Sequence, residues 1–311
     1  MWFKNIHFYR FEDAFNLTSK QLNEALEKRK ARSCGMLELF CEGWTEPLGF
    51  DGQTYVHETD GKMMICLRRE DKILPASLVR ERLEESIFNV EQEQGRPVGR
   101  KEKMDMKDVI IQELLPRAFV KTSQTFAYID PKNAWLIVNA SGAKKAEELM
   151  ELLRKTLGTL NVVLPQTTLS PEVIMTQWLT SKEPLFGGFE VEDEVELRSS
   201  GEFESMVRCK HVDLASKEVL AHIETGKRVF RLAMNWQDRI SFVLHENLSI
   251  HRLKYNTELI EDYDANGDDL AQFDADFAIM AAELEEFIPT LLQALSAEES
   301  CGDRVINPDN P

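Results

Sequence analysis

The stretch Asp108-Val-Ile-Ile-Gln-Glu-Leu-Leu-Pro-Arg-Ala-Phe-Val-Lys-Thr-Ser-Gln-Thr-Phe-Ala-Tyr-Ile129 changes periodicity in its middle. Up to Leu115 it reads as a helix. Pro116 then ends that helix, because proline lacks an N–H and biases the residue before it away from helical geometry. From Ala118 the chain reads as an extended run, so Arg117 and Phe119 stand at a helix-to-strand junction. A cation and a large aromatic at such a place either face a partner or begin a strand tucked into the core.

Working outward, residues 2–10 alternate aromatic and polar types like a strand. Thr18-x-x-Gln21 has the form of a capping box and opens a helix to about Ala31. Extended runs at Thr54–His57 and Met63–Arg69 flank the turn Thr59-Asp-Gly-Lys62, which predicts a hairpin. After Pro75 the stripe Val79, Leu83, Ile87 and Val90 marks a helix. Gly95, Pro97 and Gly99 break it, and a second helix runs from near Lys103 to Leu115, making a projecting arm. Strands over 118–129 and 134–139 follow, then a helix capped by Ser141 that ends at Leu157 with Gly158 beyond it.

The second half predicts a helix near 171–180, strands near 189–197 and 205–212, and a helix from Ser216 to Thr225. Strands near 228–234, 239–245 and 249–254 lead to a final helix over about 270–295. Strands following strands without helical crossovers give an α+β fold with antiparallel sheets, packed helices and the helical arm. The expected organisation is a central α+β domain from 1–74 plus 118–165, an arm over 75–117, a C-terminal α+β domain over 166–296 and a flexible acidic tail over 297–311.

The 311 residues, 43% hydrophobic and 29% charged, describe an ordinary globular protein with room for sizeable cores. No apolar run approaches the ~20 residues of a membrane span, and no secretory leader is evident, so a cytoplasmic location is expected. Five scattered cysteines without a C-x-x-C pair read as reduced thiols rather than a disulfide framework or a zinc site. The net charge of −17 argues against a nucleic-acid partner until its distribution is considered. From Tyr255 onward there are 15 acidic residues and one basic, whereas the first 254 residues hold 39 acidic and 36 basic. Between Lys62 and Lys121 the balance reverses, 13 basic against 11 acidic. An acidic chain can thus still present DNA with a basic face.

Nucleotide-binding glycine fingerprints, G-x-S-x-G and H-E-x-x-H are all missing from the sequence. The histidines share no metal-like spacing, and no nucleophile, base and orienting group come together, so neither an enzyme nor a cofactor or metal site is expected. Asp262-x-Asp264-x-Asn266-Gly267 matches the first half of a calcium loop, but the twelfth position is Phe273 where a bidentate Glu is required.

The candidate phosphate contacts are Arg68, Arg69 and Lys72 at a strand end, Arg117 and Lys121 after the arm, and Lys144 and Lys145 in a helix's first turn. Lys210 on a strand and Lys227-Arg228 after a helix complete the set. Lys144 and Lys145 are cations at the positive end of a helix dipole, where ammonium and backbone N–H groups can converge on one phosphate. The alternative for each cluster is a solvated surface.

Seven segments occur in a characteristic order: Met1-Trp-Phe-Lys-Asn5, Arg68-Arg-Glu-Asp-Lys-Ile-Leu-Pro75, Leu114-Leu-Pro-Arg-Ala-Phe119, Ser141-Gly-Ala-Lys-Lys-Ala-Glu147, Thr176-Gln-Trp-Leu179, His222-Ile-Glu-Thr-Gly-Lys227 and Phe273-Asp-Ala-Asp-Phe277. Together they resemble the recombination-associated RdgC family of bacteria over essentially the whole chain. The resemblance implies a nucleoid-associated protein that binds double- and single-stranded DNA without sequence preference, as a ring-shaped homodimer that restrains RecA. By the same match Phe119 is expected at a dimer interface. Around Arg208–Asp213 the family more often has two adjacent basic residues followed by Gln. Here Lys210, His211 and Val212 stand instead, which leaves the second subunit contact, expected at His211, altered and open to pH. Two other readings remain: an acidic protein–protein adaptor, and a metal-dependent nuclease among the many carboxylates.

Overall fold

A computed structural model describes residues 1–49, 52–181, 183–199, 205–256 and 269–296. The calcium-loop-like segment Asp262–Gly267, Cys301 and the tail over 297–311 lie outside the described residues.

The chain is α+β. Its first half comprises β1 (Ile6–Phe11), α1 (Ser19–Glu27), β2 (Phe40–Thr45), β3 (Val56–Thr59), β4 (Lys62–Ile73), α2 (Ala76–Gln94) and α3 (Arg100–Leu114). After them come β5 (Phe119–Asp130), β6 (Trp135–Asn139), α4 (Ala143–Leu157) and β7 (Val162–Val163). The second half has α5 (Pro171–Thr180), β8 (Phe189–Ser199), β9 (Met206–Lys210), α6 (Lys217–Glu224), β10 (Lys227–Trp236), β11 (Ile240–His245), β12 (Ile250–Tyr255) and α7 (Asp269–Ala294). All twelve strands join one antiparallel sheet in the order β2-β4-β5-β6-β1-β12-β11-β10-β8-β9, with β3 on β4 and β7 on β1.

Local chemistry accounts for most boundaries. Thr18 and Gln21 form the expected capping box, although α1 stops at Glu27, short of Ala31. Asp60 and Gly61 adopt positive φ of 49° and 75°, which makes the two-residue turn of the β3–β4 hairpin. Pro116 sits in a 3-10 turn, Leu115–Arg117, so Arg117 belongs to that turn and β5 begins at Phe119. Ser141 does not cap α4; Gly142 holds that position and no side chain bonds to it. Strand β2 escapes the sequence reading because Glu42 and Gly43 interrupt its pattern. Gly43 is required by close approach, since a Cβ there would stand 2.5 Å from Ala31 Cα.

The core has two layers. One cluster lies under α1 and α4 and takes Tyr9, Phe11, Ile65, Leu67, Leu136 and Val138 from the sheet. The other lies on the opposite face beneath α5, α6 and α7, and runs from Met64 and Tyr128 across Phe8 to Trp236 and Phe242. Strand β1 is therefore covered on both faces, with five of its six residues buried, rather than alternating as its sequence suggests. Helices α2 and α3 pack chiefly on each other; their fully buried residues are Val79 and Ile110.

The two halves of the sheet meet at one pair, Ile6 with Ile250, reinforced by the Leu253 N–H on Lys4 O at 2.9 Å. Helix α7 lies across this seam. Its Glu285 accepts from Lys62 at 2.8 Å in the first half, and its Glu283 from Arg239 at 2.7 Å in the second. Phe287 on α7 is buried with ring centroids 4.9 Å from Phe242 and 5.4 Å from Trp236. Phe287→Ala should cost about 3–5 kcal/mol of folding stability. Equilibrium urea unfolding followed by tryptophan fluorescence checks this through a lowered midpoint.

Candidate nucleic-acid interface

Side-chain alternation sets up the candidate surface. On β8, β9, β10 and β11 the residues Val195, Leu197, Val207, Cys209, Leu232 and Leu244 face the core beneath α5–α7. Their neighbours Glu194, Glu196, Arg208, Lys210, Arg231 and His245 therefore point to the other side. In the first half of the sheet that side is occupied by α1 and α4. In the second half it opens into a cleft of about 360 Å³ lined by those six side chains together with His251, Arg252 and Ser141, the residue just before α4.

Two carboxylates organise the cations. Glu196, 4% exposed, accepts from Arg208 at 2.5 Å and Arg231 at 3.0 Å. Glu194 accepts from Lys210 at 3.1 Å and Arg252 at 3.0 Å. The hydrogen bond from Arg252, acting with that from Lys210 against burial, holds the Glu194 carboxyl below its usual range. Four cations thus share two anions in the cleft; Arg198, 3.8 Å over the Phe230 ring, lies in a neighbouring hollow with Glu172 and Glu246. The excess is positive. The buried Arg231 Nε donor has no hydrogen-bond partner among the described residues.

A histidine cluster floors the cleft. His245 and His251 stack at 3.8 Å between centroids with planes 4° apart, and His7 meets His251 edge-on at 6.1 Å. Burial first, then neighbouring His251, Arg231, His7 and Arg252, push His245 down to about 3. Burial, His7 and the same two arginines push His251 down to about 4. Both rings are therefore neutral near neutral pH, which lets them stack beside arginines without repulsion.

The ten sequence-predicted cations divide between opposite ends of the sheet. Lys210 lies in the cleft, and Lys144 and Lys145, exposed in the first turn of α4, follow Ser141 at its rim. Lys227 and Arg228 begin β10 in register with Ser199 and Arg198, and Arg228 is bound to Glu172 at 3.1 Å. The other five sit on or beside β4 and β5. Arg68 is tied to Glu70, and Arg69 to Asp71, Glu42 and Glu148. Lys72 donates to the carbonyls of Met36 and Leu115. Arg117 and Lys121 are exposed. Arg198, Arg208, Arg231 and Arg252 were absent from the sequence reading. The available signal was alternation: Glu194, Glu196 and Arg198 are i, i+2, i+4 on one strand, opposite Arg208 and Lys210 on the next.

Phe119, the predicted interface residue, is 84% exposed and pairs across the ladder with exposed Ile73, next to exposed Val120. His211 follows β9 in the left-handed region at φ 55°, with Nδ1 2.8 Å from Asp193 on β8. The two residues lie toward opposite ends of the sheet.

Fold and surface together define an α+β protein with one continuous antiparallel sheet and an open cationic face on its C-terminal half. Comparison with known proteins gives the family. A family model described as “Putative exonuclease, RdgC” matches residues 1–298. The Recombination-associated protein RdgC of Aeromonas hydrophila is 46% identical over 301 residues, covering 96% of this chain and 99% of that protein. Those of Tolumonas auensis and Yersinia enterocolitica are 43% and 40% identical, again over 96% of this chain and 100% and 99% of theirs. The chain belongs to the RdgC family of recombination-associated proteins. No helix among the described residues is long and apolar enough to cross a membrane.

The histidine stack carries a pH signature. A histidine depressed in the fold but ordinary when unfolded takes up its proton first in the unfolded chain. Stability is then full above the ordinary value of 6.5 and is lost as pH falls through about 4 and 3. His245→Gln should flatten the fall in denaturation midpoint between neutral pH and about 4, measured by chemical unfolding at a series of pH values.

Proposed function

We propose that the protein binds DNA without sequence preference, as a homodimer, and restrains RecA-dependent recombination by occupying the duplex. The observation that carries this reading is the surplus of cations over carboxylates in the open cleft on the C-terminal half of the sheet. Arginines fixed by buried Glu196 and half-buried Glu194 are pre-organised, so little side-chain entropy remains to be lost when a phosphate replaces solvent. The first turn of α4 adds backbone N–H groups and the lysines 144 and 145 at its rim. None of these groups reads a base by itself; they meet a charged backbone whose spacing is the same for every sequence. Single strands carry the same phosphates and are bound by the same chemistry. The mechanism is exclusion: duplex held on this face is withheld from recombinase filaments. It requires no cofactor and no chemical step, and places the protein on the nucleoid in the cytoplasm.

Dimerisation is supported by the exposed apolar group Phe119, Ile73 and Val120 at one end of the sheet, since an 84% exposed phenylalanine gains by burial against a second copy. His211 is placed for a second contact at the other end, which closes two protomers into a ring with the basic surface inside. The family description favours a second reading, an exonuclease, and magnesium-dependent loss of a labelled end would reveal it.

Fluorescence anisotropy of a labelled duplex of arbitrary sequence should show binding that weakens steeply from low to moderate salt. In Lys144→Ala/Lys145→Ala the salt slope should shrink by about 2, close to 0.9 per lost phosphate contact. No binding by the wild type even at low salt would leave the acidic adaptor as the account. Phe119→Ser should weaken self-association by about 2–4 kcal/mol through lost apolar contact and a desolvated hydroxyl. Sedimentation velocity checks it, with a smaller species expected at a concentration where the wild type is dimeric, and thermal stability of the protomer changed by less than about 0.5 kcal/mol.

A further inference from the structure

Cys34 and Cys41 have no C-x-x-C spacing, yet the fold brings them together at the edge of the sheet opposite the cationic cleft. Cys41 lies on β2, buried, directly across the ladder from Glu70 on β4. Residues 31–39 fold back over this pair. The Cys34 N–H donates to Glu70 at 2.9 Å, and the Ala31 N–H to Trp44 O at 2.7 Å. The Sγ atoms of Cys34 and Cys41 and a carboxylate oxygen of Glu38 all lie within 4.8 Å of one another.

We propose that Cys34, Cys41 and Glu38, with Glu70 beside them, bind a thiophilic divalent cation of the zinc class. Two sulfurs and a carboxylate supply the mixed donor set such ions take, and tetrahedral bonds of about 2.0–2.3 Å need donors roughly 3.3–3.8 Å apart. Side-chain rotation of about 1 Å brings the present separations into that range. Arg32 takes one lone pair on each Glu38 oxygen, at 2.5 Å on Oε1 and 2.7 Å on Oε2, and the Gly35 N–H takes the second on Oε2 at 2.7 Å, which leaves one on Oε1 for the ion. Water would fill the fourth position, since Glu70 already accepts from Arg68 at 2.6 Å and the Cys34 N–H at 2.9 Å.

Both thiols donate to carbonyls of the segment that folds over them, Cys41 Sγ to Arg32 O at 3.1 Å and Cys34 Sγ to Glu38 O at 3.7 Å. A bound cation would replace those protons as the thiols ionise. Occupancy clamps residues 31–39, which carry exposed Met36, Leu37 and Leu39, against β4, where Lys72 already bridges Met36 O and Leu115 O. The ion would thus set the apolar surface that continues toward Phe119.

The test titrates cadmium ion into the reduced full-length chain, kept in a reductant without thiols, and follows the thiolate-to-metal charge-transfer absorbance. One equivalent should saturate the band, protons should be released, and zinc should displace cadmium. The band should be lost in Cys34→Ser/Cys41→Ser and kept in Cys66→Ser and Cys209→Ser. In the wild type, zinc should protect Cys34 and Cys41 but not Cys209 from alkylation, read by peptide mass spectrometry. That second readout needs no variant to fold. Absence of the band in the wild type, its persistence in the double variant, or alkylation of Cys34 and Cys41 unslowed by zinc would each overturn the site.

Discussion

The burial of α7 across the weakest line in the sheet is the interaction on which the rest of the structure turns. Strands β1 and β12 meet at one residue pair, Ile6 with Ile250, far fewer backbone bonds than the eleven-residue pairing of β4 with β5. A seam that narrow would open as a hinge if backbone hydrogen bonds alone closed it. Phe277, Met280, Leu284, Phe287, Ile288 and Leu291 on α7 lie against both halves, so opening the seam would expose apolar area from Met64 and Tyr128 to Trp236. Carboxylates on the same helix, Glu285 toward Lys62 and Glu283 toward Arg239, fix its rotation and register.

That arrangement also distributes charge. The second half of the sheet hides its apolar face under α5, α6 and α7, and its polar face remains for solvent or a ligand. Because side chains alternate, every outward position on β8, β9 and β10 is free to be charged without disturbing the core. Glu194 and Glu196 keep a row of arginines and a lysine from repelling one another, while leaving the sum positive. An acidic protein thereby maintains a cationic surface: most of its negative charge lies elsewhere in the chain, and the two carboxylates inside the cleft act as supports for cations. In the first half of the sheet α1 and α4 cover that face over β1 and β6, while the start of β5 stays exposed. The cations Arg68 and Arg69 of this half are consumed by carboxylates, and Lys72 by main-chain carbonyls.

Much of the element order was legible. The capping box at Thr18 and Gln21, the Asp60-Gly61 turn, the glycines that part α2 from α3, and the glycine after α4 are local signals read correctly from a few residues each. What escaped was tertiary in origin. Gly43 disguised β2, since its reason is the closeness of Ala31, twelve residues earlier in the chain. The burial of β1 on both faces was invisible because its alternation of aromatic and polar types shows a strand but not that helices cover both sides. Lys210 and the α4 lysines were found from charge alone, but Arg208, Arg231 and Arg252 were not, since their meeting requires strands β9, β10 and β12 to be set in order.

By itself the sequence determined most helix and strand boundaries, β2 and the ends of α1 and α4 excepted, because capping, proline, glycine and hydrophobic period act within a few residues. The seven ordered motifs, carried over nearly the whole chain, pointed to the family as well. The tertiary structure alone decided which face of each strand would be covered, which cations would be spent on internal ion pairs, and that two cysteines seven residues apart would converge on the Glu38 carboxylate. Period two specifies that faces alternate but not which face a distant helix will bury. The pairing of Ile6 with Ile250 lies beyond any local rule.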